Sequence, residues 1–304
     1  MIARRPWLLR IGWLAGALAV GACGPEPVSF TYEAPVGRRF VLDEQLTQTT
    51  DVAPGGRFEV DVRGKSRIRV ERASAWRVHW IETIESGSIR ISKPMRSFDL
   101  GDIVGAYEVR TDFSDSGEAV GVEGLDAVSS ALLRQFQESG LVADPAAMAP
   151  STSGDEHLAV WNERVYALAG LRLAPGETAE AAGRQDLGAG IWLDYRVTLT
   201  LGDELPCPGD AERRCVKLAL EYTTSDEAAA SVRGRRFDDL GYDLSTVIDQ
   251  AELTGTGERV LDPSTLLVYD EKRDPVLRLT GSAQGDRFDL TLRQHHTWKL
   301  RPAS

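Results

Sequence analysis

Ile191-Trp-Leu-Asp-Tyr-Arg-Val-Thr-Leu-Thr-Leu201 sets Ile191, Leu193, Tyr195, Val197, Leu199 and Leu201 on one parity and Asp194, Arg196, Thr198 and Thr200 on the other. Successive side chains of a strand point to opposite faces, so this stretch predicts a strand with one buried face and one wet face. The same period recurs on both sides of it. Downstream, a Pro/Gly loop from Leu205 to Cys215 turns the chain into Val216, Leu218, Leu220 and Tyr222. Strands are predicted near 251–261, 265–271 and 275–283, and a last one carries Phe288, Leu290, Leu292, Trp298 and Leu300 on one face. Asp262-Pro-Ser, Lys272-Arg-Asp-Pro and Gly285-Asp are the turn signals between them. Upstream, Phe58, Val60 and Val62 alternate with Glu59, Asp61 and Arg63, and Ile68 and Val70 keep that parity, which predicts a ribbon over 57–72. Trp76, Val78 and Trp80 face one side of a returning strand, with shorter strands near 39–49, 88–92 and 106–112.

The middle of the chain changes period. Leu125, Val128, Leu132 and Phe136 lie on one helical face, with Gly140 as a stop. Ser153 and Glu156 form a capping box before a second helix with the face Leu158, Trp161, Val165 and Leu168, ended by Gly170. Residues 174–189 read as a flexible stretch and 226–250 as a surface helix or excursion. Strands, two helices and strands again predict an α+β protein: a curved antiparallel meander wrapped around or flanking two central helices. Residues 30–304 form its β-rich domain. One division the pattern allows is two β halves, 30–115 and 188–302, joined by helices over 122–170.

The N-terminus carries Arg4, Arg5 and Arg10 before an apolar run from Ile11 to Ala22, too short to span a bilayer as a helix. This is the pattern of an export signal over 1–22. Its end, Val20-Gly-Ala-Cys23, resembles the lipobox of bacterial lipoproteins. That resemblance implies a diacylglyceryl group on the Cys23 thiol, cleavage before it and a lipidated tether over 23–29; a plain secreted protein is the other reading. Two or more acyl chains, at about 0.8 kcal/mol per buried CH₂, hold a protein stably on a membrane. Arg4-Arg5 also loosely resembles a twin-arginine signal, and the export route stays open. Gly24 stands where an aspartate would imply inner-membrane retention, so the outer membrane is the favoured location. The β-rich layout on a lipidated chain is similar to the Lol-type lipoprotein carriers and receptors of the periplasm, in architecture and not in residue motif.

Removal of residues 1–22 takes three arginines with it and moves the formal charge from −11 to −14. Such an acidic chain excludes nucleic acid as the expected partner, because phosphates demand a basic patch. With Cys23 lipidated, Cys207 and Cys215 are an even remainder in an oxidising compartment and are expected to pair. A metal site is the rival, but the spacing lacks a neighbouring histidine.

Residues able to carry catalysis are sparse. No Gly-x-Ser-x-Gly elbow occurs, and Leu253-Thr-Gly-Thr-Gly reads as a strand with glycine bends rather than a phosphate cradle. His295 and His296 are successive strand residues that point apart and do not chelate one ion; His296 reads as half-buried and hydrogen-bonded, His157 as solvated, and His79, opposite a tryptophan-lined face, as structural, with a ligand contact as the alternative. Asp238-Asp239 reads as solvated surface. No metal, cofactor or enzymatic activity is expected. The expected function is a cell-envelope lipoprotein that holds a lipid-like or hydrophobic molecule in a cavity of the sheet lined by Phe58, Trp76, Val78 and Trp80. The alternatives are a scaffold that binds an envelope protein with a fully packed core, and an unrecognised hydrolase.

Overall fold

The computed structural model describes residues 26–92, 95–99, 107–138, 154–188, 191–235, 246–283 and 285–303. Its elements, in chain order, are β1 (Val28–Ser29), β2 (Arg39–Ala53), β3 (Gly56–Ser74), β4 (Arg77–Ser92), β5 (Met95–Asp99), β6 (Glu108–Ser114), β7 (Ala119–Glu123), α1 (Leu125–Glu138) and α2 (Gly154–Arg164). They continue with β8 (Arg172–Leu173), β9 (Thr178–Gly188), β10 (Ile191–Cys207), β11 (Asp210–Thr223), α3 (Asp226–Val232), β12 (Thr246–Leu261), β13 (Val268–Ala283) and β14 (Asp286–Pro302). One twelve-stranded sheet runs in the order β7-β6-β4-β3-β2-β14-β13-β12-β11-β10-β9, with β5 paired to β4 off that path. Every pairing is antiparallel, and the first and last long strands meet along the β2–β14 ladder from Phe40↔Pro302 to Ala53↔Asp289.

The sheet curls. Helix α2 touches both β7 and β9, the two ends of the strand path. Asn162 accepts from the Ala119 N–H at 2.7 Å and donates to the Ala119 carbonyl at 3.1 Å, so the helix satisfies an edge that would otherwise present unpaired backbone groups. From the same helix, Trp161 packs its ring against Trp80 of β4 (5.2 Å), Phe113 of β6 (5.4 Å) and Trp298 of β14 (5.7 Å). The molecule is thus an open antiparallel barrel with α2 in its seam.

The expected α+β class is overturned. Strands make up most of the described chain, and the three α-helices are only 14, 11 and 7 residues long. The alternation extends further than the sequence reading took it. The stretch 174–189, expected to be flexible, contains β9, whose small residues Ala179, Ala181 and Gly183 face Leu199, Val197 and Tyr195. Gly183 leaves room for the Tyr195 ring, which occupies the space a Cβ would fill. Residues 77–80 and 88–92 belong to one strand, β4, with Trp76 in the turn before it, and Lys272-Arg-Asp-Pro275 is no turn but the middle of β13. Pro275 is tolerated because the β13–β14 pairing is interrupted at Asp274 and Pro275, where its missing N–H falls. Opposite it stands Gly255, at φ 151°, where a Cβ would come within 2.5 Å of the Asp274 carbonyl oxygen. The glycine bends read from the sequence are therefore a place where β12 and β13 approach too closely for a Cβ.

Both helical stripes exist. Val128 of α1 is buried with Ile89 and Val109, and Leu132 and Phe136 pack on that small cluster. The Ser225 hydroxyl accepts from the Ala228 N–H at 3.1 Å and caps α3, the helix within 226–250. Ser153, Gly140 and Asp238-Asp239 lie outside the described residues, as does Cys23.

Candidate functional site

Parity divides the sheet into two faces with different chemistry. The outer face is a ladder of ion pairs in water, among them Arg67–Glu85, Arg110–Glu123, Arg293–Asp51 and Lys217–Glu258. His79 lies on this face with Nδ1 2.6 Å from Asp112 Oδ1, and His295 lies there against Asp274 at 2.6 Å. His296 points inward, so the two adjacent rings do face apart.

The inner face has three zones. The first is aromatic. Val78 and Trp80 are buried in it, with Phe40, Phe113, Trp161 and Trp298 around them. The indole of Trp161 and the Thr111 hydroxyl both reach His157 Nε2, at 3.1 and 2.9 Å. His157 is thus partly buried and bonded, not solvated as expected; burial, with the Arg164 charge nearby, lowers its pKa to about 4.

The second zone is ionic and lies beneath the end of α2. Glu271 of β13 receives Arg259 Nε at 2.5 Å, Arg273 Nε at 2.5 Å and Arg164 Nε at 3.1 Å. Glu163 receives Arg259 Nη2 at 3.2 Å and Arg273 Nη1 at 3.3 Å. Arg164 also stacks over Trp298 at 4.5 Å. Arg259 and Glu271 are completely buried. Burial by itself would raise the Glu271 pKa, but the fields of Arg259, Arg273 and Arg164 hold it well below the usual carboxylate range. Removing one partner from such a group leaves an uncompensated charge in a poorly solvating interior. Two donors stay open: Arg273 Nη2 and Tyr222 Oη are buried without a hydrogen-bond partner among the described residues. Burial pushes the Tyr222 pKa up, and Arg273 is the charge that most opposes this.

The third zone is a strip on the inner faces of β2, β3 and β14. Leu46, Val60, Val62, Leu290 and Leu292 are only half-buried there. Gln294 Nε2 donates to Gln48 Oε1 at 3.4 Å in the same strip. The strip lies between the main core, against which Leu290 and Leu292 pack, and the α1 cluster, against which Val60 and Val62 pack. At its ionic end, His296 Nε2 meets Glu44 Oε1 at 2.6 Å, and His296 is the cross-strand neighbour of both Leu46 and Arg273. Burial opposes ionisation of Glu44, but the bond from His296 and the His296 and Arg164 charges hold its pKa below the ordinary value. Burial pushes Glu82 of β4 the other way, against a hydrogen bond with Ser66.

The four residues expected to line one cavity do not meet. Val78 and Trp80 are filled in by Trp161, and Trp76 is 72 % exposed at the β3–β4 hairpin. Phe58, opposite Thr50, stands twelve residues along β3 from Val70, the partner of Trp80, or roughly 40 Å of strand. Cys207 and Cys215 form the disulfide that the loop predicted. The ionic zone was missed, yet it left a signal: Arg259 shares its parity with Leu253 and Leu261, and Glu271 and Arg273 share theirs with Leu277 and Leu279.

Fold and site together describe an open antiparallel β-barrel with a half-covered inner face. No protein family matches the chain, and no curated protein sequence matches it. Among solved structures it is similar to lipovitellin, determined in a study of its lipid–protein interactions, with 10% identity and a TM-score of 0.46 over 90% of this chain. The chain spans 26% of the length of that protein. An outer membrane channel from Pseudomonas putida F1 aligns over 88% of this chain and 97% of its own, with 10% identity and a TM-score of 0.22. OpdQ of Pseudomonas aeruginosa aligns over 88% and 99%, with 7% identity and a TM-score of 0.24. All three likenesses are distant. No helix among the described residues is long and apolar enough to cross a membrane.

Proposed function

We propose that this chain is a lipid-tethered protein of the cell envelope, anchored through Cys23 on the periplasmic side of the outer membrane, which holds a lipid-like amphiphile on its inner face and catalyses no reaction. The observation that carries this reading is the half-buried strip itself. Most of the inner face is covered by α1, α2, α3 or the segment from Phe30 to Tyr32, but Leu46, Val60, Val62, Leu290 and Leu292 are covered only in part. A contiguous apolar surface left half in water favours an apolar guest, at about 25 cal/mol per Å² of area removed from water. On β14 the strip grades from Leu290 and Leu292 through Gln294 to His296, with Gln48 and Val60 abreast of Gln294 and with Leu46 and Val62 abreast of His296, beside Glu44 and Arg273. That gradient suits a molecule with an apolar body and a polar head, and the open Nη2 of Arg273 suits an acceptor on that head.

The test is titration of the purified protein with a fluorescent fatty-acid analogue, alongside the double variant Leu46→Asp/Leu292→Asp. Saturable binding by the wild type that drops at least roughly tenfold in the variant supports the reading, one such step being about 1.4 kcal/mol. No saturable binding by a folded wild type contradicts it and leaves the scaffold role, which the filled aromatic zone around Trp161 favours.

A further inference from the structure

Four large apolar side chains are exposed among the described residues: Val36, Trp76, Val120 and Tyr166. Singly exposed apolar groups are ordinary on a protein surface. These four are not scattered. All surround the segment 28–37 by which the chain enters the barrel. Val36 is in that segment, and the next residue, Gly37, donates to the Val70 carbonyl of β3 at 2.9 Å. Trp76 tips the hairpin that follows β3, two residues from Val78, whose partner Phe113 stacks on Tyr32 at 6.4 Å. Val120 follows Ala119, which α2 holds through Asn162. Tyr166 lies two residues beyond the end of α2 and four before Gly170, whose N–H donates to the Phe30 carbonyl at 2.8 Å.

Tether length makes this end special. From Cys23 to Val28 the chain has five residues, at most about 17 Å when fully extended. An acyl anchor on Cys23 therefore keeps this end, and no other, within reach of the bilayer surface. Tryptophan and tyrosine favour the bilayer–water boundary, where the ring is apolar on one side and hydrogen-bonds on the other. Arg72 and Arg77 flank Trp76, and the neighbouring β6–β7 turn carries Asp115 and Glu118, so the end is close to charge balance. Its attraction to a membrane is then interfacial rather than coulombic.

We infer that this end docks on the lipid bilayer with Trp76 inserted at the interface, a second attachment that fixes the barrel's orientation on its tether. The inference rests on lipidation at Cys23. To test it, the full-length protein purified from the envelope is reconstituted into vesicles of phosphatidylethanolamine and phosphatidylglycerol, with and without brominated acyl chains, and compared with Trp76→Ser. Trp80, Trp161 and Trp298 are buried, so the brominated lipid should quench the wild type roughly twofold more than the variant, because Trp76 is the most exposed indole described. Flotation of both proteins with the vesicles but equal quenching overturns the docking and leaves the tether standing. Failure of the wild type to float overturns the tether first, and the docking with it. Equal quenching together with a dimer in sedimentation that Trp76→Ser dissociates also overturns the docking and assigns the patch to a second copy of the chain.

Discussion

The inner face beneath α2 and the inner face between β3 and β14 are built on the same ladder, a few residues apart along β2 and β14, yet they are finished differently. Beneath α2, nearly every direction is occupied: Trp161 fills the aromatic zone, and two glutamates and three arginines pair with one another, leaving Arg273 Nη2 and Tyr222 Oη open. Around Leu46 and Leu292, strands of the same alternation end in side chains that nothing fully covers. The difference teaches that strand parity alone does not decide whether an inward residue is core or surface. What decides it is whether another element comes to lie on it, and α2 reaches only one end of the barrel.

The comparison predicts unequal responses to substitution. Trp161→Ala removes the ring that joins β4, β6 and β14 and is expected to cost about 3–5 kcal/mol. Glu271→Gln leaves three guanidinium groups short of a carboxylate and is expected to cost about the same, read as a fall in the chemical-denaturation midpoint. If either variant unfolds at the wild-type midpoint, the packed end is not what holds the barrel together.

Acid should act on the packed end as well. His157 has a folded-state pKa near 4, below its unfolded value of about 6.5, so the unfolded chain binds more protons between these limits. Stability is therefore full above about pH 6.5 and falls as the pH drops toward 4. Glu271, also held low, keeps its contribution above the ordinary carboxylate range and loses it only as pH falls further. Melting temperature measured across pH 7 to 4 should decline, and His157→Asn should flatten that decline. A profile identical to the wild type in the variant would remove His157 from the account.

Cys207→Ser with Cys215→Ser opens a short loop at the β10–β11 hairpin and is expected to cost about 2.5 kcal/mol on the chain-entropy model, less where the hairpin already restrains the ends. The smallest stability change is expected at the strip. Leu292→Gln should alter the melting temperature by only a degree or two, since its side chain is already half in water.

Much of the barrel was legible before the structure. Alternation at 58–62 and 191–201 set the faces of β3 and β10, and the separation of His295 from His296 followed from strand geometry. Three things were not. Lys272-Arg-Asp-Pro275 carries turn residues but is accommodated in β13, because the glycines of β12 admit its backbone, a compensation between residues directly paired in the ladder but well separated in sequence. The stretch 178–188 has Leu187 as its one large apolar residue, because it is an end strand whose small side chains make room for Tyr195 and α2. The packing of Trp161 between Trp80 and Trp298 is a contact over 81 and 137 residues, which no local pattern encodes. That contact also explains why Phe58, Trp76, Val78 and Trp80 share a parity without sharing a site.

The central claim is that the strip on β2, β3 and β14 holds a lipid-like molecule. The most direct measurement is mass spectrometry of the organic-solvent extract of the full-length protein purified from the envelope, beside that of Leu292→Gln. The account predicts a non-covalent amphiphile near one equivalent in the wild type and strongly depleted in the variant. A wild-type extract with no such molecule, or the same amount from both proteins, would contradict it.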